Sequence, residues 1–360
     1  MKTSVLVYAA VLGLSYSVGL SAPVLAQTVV PAPPSTDYRA PRNAAGQPDL
    51  QGIWTNGSLT PLEREAELGD RAVLTAEEVA KVEGQEAAHV ERQNLPTDPD
   101  APLVDPNEVC GRGGQTGAAC GYNTAWTDPG SRVMRVGGEP RSSFITSPAN
   151  GRVPPPTEDG RRRFAQLAAQ YRNLNAADNP ESRSLGERCL LSFGYSAGPV
   201  MLPLLYNNNY QIVQTKDEVA ILVEMVHDVR HIRLNQSHRA DSLPQWLGDS
   251  VGRWDGDTLV IETTHFRPDQ AIFFRGATRN LKVTETLTRV AEDRLHYGFL
   301  VEDPATFSEA WAGEYEFSPA DGRIYEYACH EGNYGIVNVL QGAREAEKTV
   351  ASPAPETAAN

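Results

Sequence analysis

The chain has 360 residues, of which 40% are hydrophobic and 22% are charged. This composition supports one large or two modest domains with a hydrophobic core. It excludes a peptide, a collagen and a mini-protein that needs cross-links to fold, and it disfavours a wholly disordered chain. Asp and Glu number 46 against 32 Lys and Arg, which gives a formal net charge of -14. Nucleic acids and anionic lipids bind to basic surfaces, which this charge balance disfavours. We therefore expect neither as a partner.

The first segment is typical of a secretory signal peptide. Lys2 supplies the positive start, an apolar stretch follows, and Val24 and Ala26 occupy the positions before a cleavage site. We therefore predict that residues 1–26 are removed and that the mature chain begins at Gln27. A transmembrane anchor is the alternative, but no basic flank follows the apolar stretch. A cleaved signal predicts a periplasmic or secreted bacterial protein that keeps no membrane anchor.

Four cysteines follow the signal, and an exported chain meets an oxidising compartment in which disulfides form. Of the possible pairings, we favour Cys110–Cys120, which closes a Gly-rich loop, and Cys189–Cys329, which ties the middle of the chain to its last part. The alternative, a zinc–thiolate site, needs a C-x-x-C spacing that the sequence lacks.

Composition and periodicity divide the chain before its second half. Residues 27–60 begin with a Pro- and Ala-rich stretch without periodicity and are predicted to be an extended arm. Residues 61–199 are predicted to be irregular and partly helical. In this part, Thr75 and Glu78 have the spacing of a capping box, which predicts a helix start. A second helix is predicted over 159–174 from its apolar spacing.

Residues 200–342 have a different pattern, in which short β-rich runs alternate with turns of Asp, Glu, Gly and Asn. This pattern predicts antiparallel hairpins, with roughly eight strands in all. The predicted fold class is mainly β with a few helices, and the C-terminal domain is an antiparallel meander or a lipocalin-like barrel. The tail, residues 343–360, is predicted to be disordered.

Several phrases along the chain are distinctive: GQPDLQGIW, YNNNYQIVQT, EMVHDVR, GDSVGRWDGDTLVIETT and YEYACHEGNYG. With these phrases the chain resembles a largely uncharacterised family of exported bacterial proteins, and the resemblance spans most of the mature chain. It supports export and marks segments of interest. It implies no activity, fold or site.

Two histidines follow apolar strand patterns, so both are candidate catalytic residues. If the strand that contains residues 219–225 continues, His227 lies at the end of its apolar face. His265 likewise lies at the end of the apolar face that Leu259 and Ile261 form on another predicted strand. The two imidazoles would then meet at the mouth of a barrel as a general acid and base. A hydrogen-bonded strand-end role is the favoured alternative for either histidine alone. Asp228 would orient a histidine only across a turn or bulge.

The segment after the predicted last strand adds further candidates. Glu331 is expected to share a face with the preceding tyrosines, where burial would raise its pKa and make it a base. The alternative is a salt bridge to Arg188. His330, Tyr206 and Asn208 are predicted to bind substrate, and a structural turn is the alternative for the Tyr206–Asn208 region.

No cofactor and no metal is predicted. The His227-x-x-x-His231 pair would suit a metal on a helix, but on a strand its rings lie about 13 Å apart. A metal held by His227, His265 and His330 from different strands is a further hypothesis. Ser250 lies in a G-x-S-x-G motif, but a hairpin follows it instead of the helix of a nucleophile elbow.

Together these features predict an exported enzyme that performs cofactor-independent acid/base chemistry on a small, fairly apolar molecule held in a pocket of the β domain. The reaction would be that of a lyase, an isomerase or a hydrolase, with His227 and His265 as acid and base and Glu331 or Asp228 as the orienting group. The alternatives are a lipocalin-like carrier without catalysis and an interaction protein of the cell envelope. A carrier needs a closed apolar cavity, and an interaction protein needs a broad exposed apolar patch.

Overall fold

The computed structural model describes residues 28–96, 127–173, 177–192, 198–240, 243–267 and 278–351. The strands are β1 Gly52–Thr55, β2 Arg135–Val136, β3 Glu139–Pro140, β4 Ile145–Ser147, β5 Asn209–Gln214, β6 Glu218–Val223, β7 Val229–Leu234, β8 Asp249–Asp255, β9 Thr258–Thr264, β10 Lys282–Ala291, β11 Arg294–Glu302 and β12 Trp311–Pro319. The helices are α1 Ala76–Gln93, α2 Glu158–Asn173 and α3 Tyr334–Ala351. The predicted signal peptide and the predicted Cys110–Cys120 bridge lie outside the described residues.

Nine of these strands form a closed barrel in the order β1, β5, β6, β7, β8, β9, β10, β11, β12, and the ring closes where β12 pairs with β1. The prediction of a mainly β, barrel-like fold is confirmed. Neighbouring strands of the ring are antiparallel, as predicted, except that β7 and β8 are parallel. A parallel pair cannot be joined by a tight turn, and 14 positions of the sequence separate Leu234 at the end of β7 from Asp249 at the start of β8.

The barrel is not confined to residues 200–342. Its first strand, β1, comes from the predicted extended arm and pairs with β5 on one side and with the end of β12 on the other. Trp54 anchors this strand, because its ring is 3% exposed and its Nε1 donates to the carbonyl of Leu50 at 3.0 Å. β4, from the predicted irregular region, pairs with the beginning of β12.

The barrel interior is packed with side chains. Residues on alternate positions of the strands point inward, as the period-2 pattern predicts. Among the inward-facing side chains with no accessible surface are Ile221, Leu259, Val283, Tyr297 and Val301. Because none of these five has any accessible surface, no water-sized space adjoins them. A lipocalin-like ligand cavity would leave such space along its apolar lining.

A buried ion pair lies inside this packed barrel. The Arg230 guanidinium on β7 donates to both carboxylate oxygens of Glu285 on β10, at 3.0 and 2.6 Å, and the two side chains are 1% and 0% exposed. Tyr297 donates its hydroxyl to the same carboxylate at 2.7 Å. Burial acts to lower the pKa of Arg230, but the neighbouring Glu285 outweighs it and the pKa is raised.

The segment before β5 closes over the aromatic side of the interior. Val200, Met201 and Leu202 are at most 2% exposed. The N–H of Met201 donates to the Tyr297 hydroxyl at 3.2 Å, and its carbonyl accepts from the Tyr315 hydroxyl at 2.6 Å. These bonds join the segment to the ion pair through Tyr297. The sequence of this segment shows no periodicity that would predict such a role.

The helices follow the local signals in part. α1 begins at the predicted capping box, in which Thr75 and Glu78 bond each other's backbone N–H, and α2 matches its prediction within a residue. α3 extends to Ala351, so the disorder predicted from residue 343 was wrong there. Its last turns have strong helix formers and the ion pairs Arg344–Glu347 and Lys348–Glu345. No helix among the described residues combines the length and the apolar character that crossing a membrane requires.

The predicted Cys189–Cys329 disulfide is present, with its Cα atoms 5.7 Å apart and a sequence separation of 140. It joins two segments outside the ring. Residues 324–329 form no strand, so the face that Glu331 was expected to share with the preceding tyrosines is absent. This segment lies beyond β12, whose place in the ring is already filled on both sides by β11, β4 and β1.

We expect the disulfide to stabilise the fold by about 2–5 kcal/mol, because it closes a long loop in the unfolded chain. The double variant Cys189→Ser/Cys329→Ser should show that loss in urea unfolding. Wild-type protein under a strong reductant should lose at least as much, because the predicted Cys110–Cys120 bridge would open as well. Equal unfolding midpoints for the oxidised wild type and the variant would contradict the prediction.

We expect Arg230→Met to lose about 3–5 kcal/mol of unfolding free energy, since it leaves the Glu285 carboxylate buried without its partner. The double variant Arg230→Met/Glu285→Leu should recover most of that loss. Arg253→Met, on the exposed face of β8, serves as the control and should change the midpoint little. If Arg230→Met were as stable as the wild type, the Glu285 carboxylate would not need its buried partner, and the prediction would be wrong.

Candidate functional site

The connection between β6 and β7 carries the densest group of predicted site residues. β6 ends at Val223, and the chain then makes one 3₁₀ turn over Met225–His227 before β7 starts. The prediction that His227 continues the apolar face of β6 was therefore wrong. The physical reason is the backbone: Val226 and His227 have φ values of 59° and 50°, which end the strand phase.

This turn is held in an unusual conformation by its buried apolar residues. A left-handed backbone is uncommon for a β-branched residue such as Val226, and it persists only where surrounding packing imposes it. Met225 and Val226 are each 1% exposed and belong to the hydrophobic core. Strained backbone of this kind is often found at functional sites, so the turn is a candidate functional site.

The turn places the His227 ring at the surface. His227 Nδ1 lies 2.8 Å from the carbonyl oxygen of Tyr327. Because a carbonyl only accepts, Nδ1 carries the proton and donates it. In the neutral ring, Nε2 then holds the lone pair, which is the form of imidazole that acts as a base.

Asp228 has the most perturbed carboxyl group in the turn. Burial raises its pKa to about 7, while the backbone N–H of Ser192 and the nearby His227 act to lower it. Its Oδ2 is buried and has no hydrogen-bond partner among the described residues. A carboxyl group that gains and loses its proton near neutral pH is suited to general acid/base work.

A second carboxylate closes the same turn. Glu224 is 6% exposed, accepts from Asn209 Nδ2 at 2.7 Å and accepts from the N–H of Tyr325 at 3.3 Å. It therefore ties the turn to β5 and to the segment that follows β12. Glu224 was not predicted as a site residue, although the E-M-V-H-D phrase has acids on both sides of the histidine.

The other predicted residues of this region differ in exposure and in the contacts that they make. His330 and Glu331 are exposed, and the strand face that Glu331 was expected to share is absent. Asn208 is fully buried and bonds the backbone N–H and C=O of Leu204, at 2.7 and 2.9 Å, so it holds a turn. Tyr206 is half-buried and packs against the core. Their predicted roles in substrate binding stay predictions.

His265 belongs to a second group of neighbours. It follows β9, its φ is 58°, and its Nδ1 lies 2.7 Å from Thr264 Oγ1. Its ring centroid is 5.6 Å from that of His238, which lies in the connection between β7 and β8. The contacts of His227 and His265 thus place them in separate clusters, and their meeting as an acid and base pair stays a prediction.

The second cluster centres on Asp249, at the start of β8 and only 3% exposed. Arg233 Nη2 donates to both of its carboxylate oxygens, at 2.8 and 2.9 Å, and His238 Nδ1 lies 3.0 Å from Oδ2. The N–H of Arg239 also donates to Oδ2, at 2.8 Å. Burial acts to raise the pKa of Asp249, but these hydrogen bonds and the Arg233 charge outweigh it, and the pKa is lowered.

The raised pKa of Asp228 makes stability depend on pH. From about pH 4 the unfolded chain loses this proton, while the native carboxyl, with its pKa near 7, keeps it. The free energy of unfolding is therefore unaffected by this shift below pH 4. It decreases by roughly 4 kcal/mol as the pH rises from 4 to 7, because the folded state keeps a proton that the unfolded chain has lost.

Asp228→Asn should remove this penalty. We expect the variant to be more stable than the wild type at pH 8 and similar to it at pH 4, as measured by urea unfolding across that range. Asp255→Asn, at the exposed end of β8, should not change the pH dependence in this way. A constant difference between Asp228→Asn and the wild type at all pH values would contradict the raised pKa.

Comparisons with known proteins add no name to this site. No protein-family model matches the chain, and no curated protein sequence matches it. The resemblance to exported bacterial proteins therefore stays a prediction. The chemistry of the β6–β7 turn and of the Asp249 cluster has to be deduced from their residues and contacts.

Proposed function

We propose that the protein is an exported enzyme that catalyses cofactor-independent acid/base chemistry at the β6–β7 turn, on a small and fairly apolar molecule. Asp228 is the general acid or base, and His227 is its partner. The observation that carries this proposal is the buried Asp228 carboxyl, whose pKa is raised to about 7 beside an imidazole. Two titratable groups with different surroundings are a common basis for dividing acid and base roles.

The two groups suit opposite halves of a proton transfer. Near pH 7 Asp228 is present in both protonation states, so it can either give or take a proton without a large energetic cost. His227 donates Nδ1–H to the Tyr327 carbonyl, so Nε2 is the atom that can accept a proton from the substrate. A substrate between them could lose a proton to one group and gain one from the other. This sequence of steps serves a lyase, an isomerase or a hydrolase.

The surroundings of the turn favour a substrate with apolar character. Tyr325 is 78% exposed and Val229 is 41% exposed, and both adjoin the acidic turn. The packed barrel interior disfavours the alternative of a lipocalin-like carrier. The Cys189–Cys329 bridge and the signal-like start support an exported location.

The proposal predicts a specific loss of turnover. Purified mature protein would be assayed with a panel of esters, lactones and enolisable carbonyl compounds, with product formation followed by mass spectrometry. We expect Asp228→Asn and His227→Gln to fold and to reduce turnover by roughly 10²–10⁴-fold, the usual share of general acid/base catalysis. The control is His231→Gln, an exposed histidine on β7 that pairs with Glu218, and it should keep full turnover.

The pH profile separates a catalytic Asp228 from a structural one. Turnover of the wild type should change through a pKa near 7, and this transition should disappear in Asp228→Asn. Full turnover in a folded Asp228→Asn variant would remove Asp228 from the mechanism. An Asp228 carboxyl that titrates near pH 4 by NMR would remove the observation on which the proposal rests.

A further inference from the structure

Two histidines and an aspartate come together on the outer wall of the barrel, away from the β6–β7 turn. His238 comes from the connection between β7 and β8, Asp249 begins β8, and His265 follows β9. One potential ligand atom from each lies within 4.8 Å of the other two. Three separate chain segments thus converge on one small volume beside a buried carboxylate.

We propose that His238, Asp249 and His265 bind a divalent transition metal, with Zn²⁺ as the ion that suits them best. Two imidazoles and one carboxylate are a common donor set for Zn²⁺ and related ions. Mg²⁺ and Ca²⁺ prefer sites built mainly from oxygen atoms. The proposal is independent of the function assigned to Asp228.

The groups behind the three ligands support this assignment. Ligands of protein-bound metals are usually oriented by a second hydrogen bond on the side away from the metal. His238 directs Nδ1 to Asp249, while its Nε2 lies 3.2 Å from Glu262 Oε1. Thr264 Oγ1 holds the ring of His265 in the same manner. Each histidine therefore has the orienting partner that a metal ligand usually has.

The Asp249 carboxylate has the capacity for one more partner. Its two oxygens offer about four lone-pair positions, and Arg233 keeps the plane of the group fixed. When the metal enters, it takes the place of the His238 Nδ1 proton, which is released to solvent. No electron is transferred. Arg233 stays as the positive charge that orients the carboxylate, and it moderates the affinity.

Binding of the metal would fix the β7–β8 connection to the barrel. His238 is the ligand that the connection supplies, whereas Asp249 and His265 belong to the wall. A metal that joins them stabilises the folded state by mass action. This crossing is the longest connection between neighbouring strands from β5 to β9, so it gains most from an additional anchor.

The test uses untagged, full-length mature protein stripped with EDTA and then dialysed against ZnCl₂. Elemental analysis should find one Zn²⁺ per chain, and the melting temperature should rise with Zn²⁺ and fall again with EDTA. His238→Gln and His265→Gln should each lose the bound Zn²⁺ and the thermal shift. His231→Gln, an exposed histidine on β7, is the matched control and should keep both.

A fourth variant examines the orienting groups. Glu262→Gln should bind Zn²⁺ about 10–100-fold more weakly, as is usual when a hydrogen bond to a metal-binding histidine is weakened. Co²⁺ substitution should give a visible absorption band that is lost in His265→Gln. The proposal would be overturned if the wild-type protein took up no Zn²⁺. It would also be overturned if His238→Gln and His265→Gln bound Zn²⁺ as tightly as the wild type does.

Discussion

The ion pair between Arg230 and Glu285 is the constraint on which the rest of the structure depends. Two charges without access to water are tolerated only in good geometry and with further hydrogen bonds. Here the pair spans the barrel from β7 to β10, and Tyr297 links it to the segment around Met201. The interior is consequently specified by polar contacts as well as by apolar packing, and it is occupied by the protein's own side chains. Both candidate sites lie outside it, at a strand-end turn and on the outer wall.

Sequence patterns predicted the parts of the fold that depend on neighbouring residues. The alternation of β5 to β12, the capping box of α1 and the Cys189–Cys329 pair all have local or compositional signals. The closure by β1 and the parallel pairing of β7 with β8 have none. A four-residue strand in a Pro-rich arm has too few positions to show a period. Pairing direction depends on how the chain crosses between strands, and the described residues of the crossing, 235–240 and 243–248, form no helix or strand.

The candidate sites show the same division. Strand phase singled out His227, but the phase ends at Val223, and the buried Val226 then turns the chain. Asp228 was named only as an orienting group, because its raised pKa comes from burial, which no spacing reveals. His238 lies in an irregular connection without any pattern. His238 comes close to Asp249 and His265 only in the folded chain, so the sequence does not reveal the cluster.

The double pairing of β1 has a consequence for how the protein is made. β1 lies near the start of the chain, while one of its two partners, β12, is among the last elements to be synthesised. Until β12 is complete, the sheet is an open ribbon with unpaired backbone groups along the free edges of β1 and β11, and such edges can pair with other chains. Ring closure is therefore a late, long-range event that joins opposite ends of the polypeptide. A chain released after β11 but before β12 lacks the strand that closes the ring, so both edges of its sheet stay open.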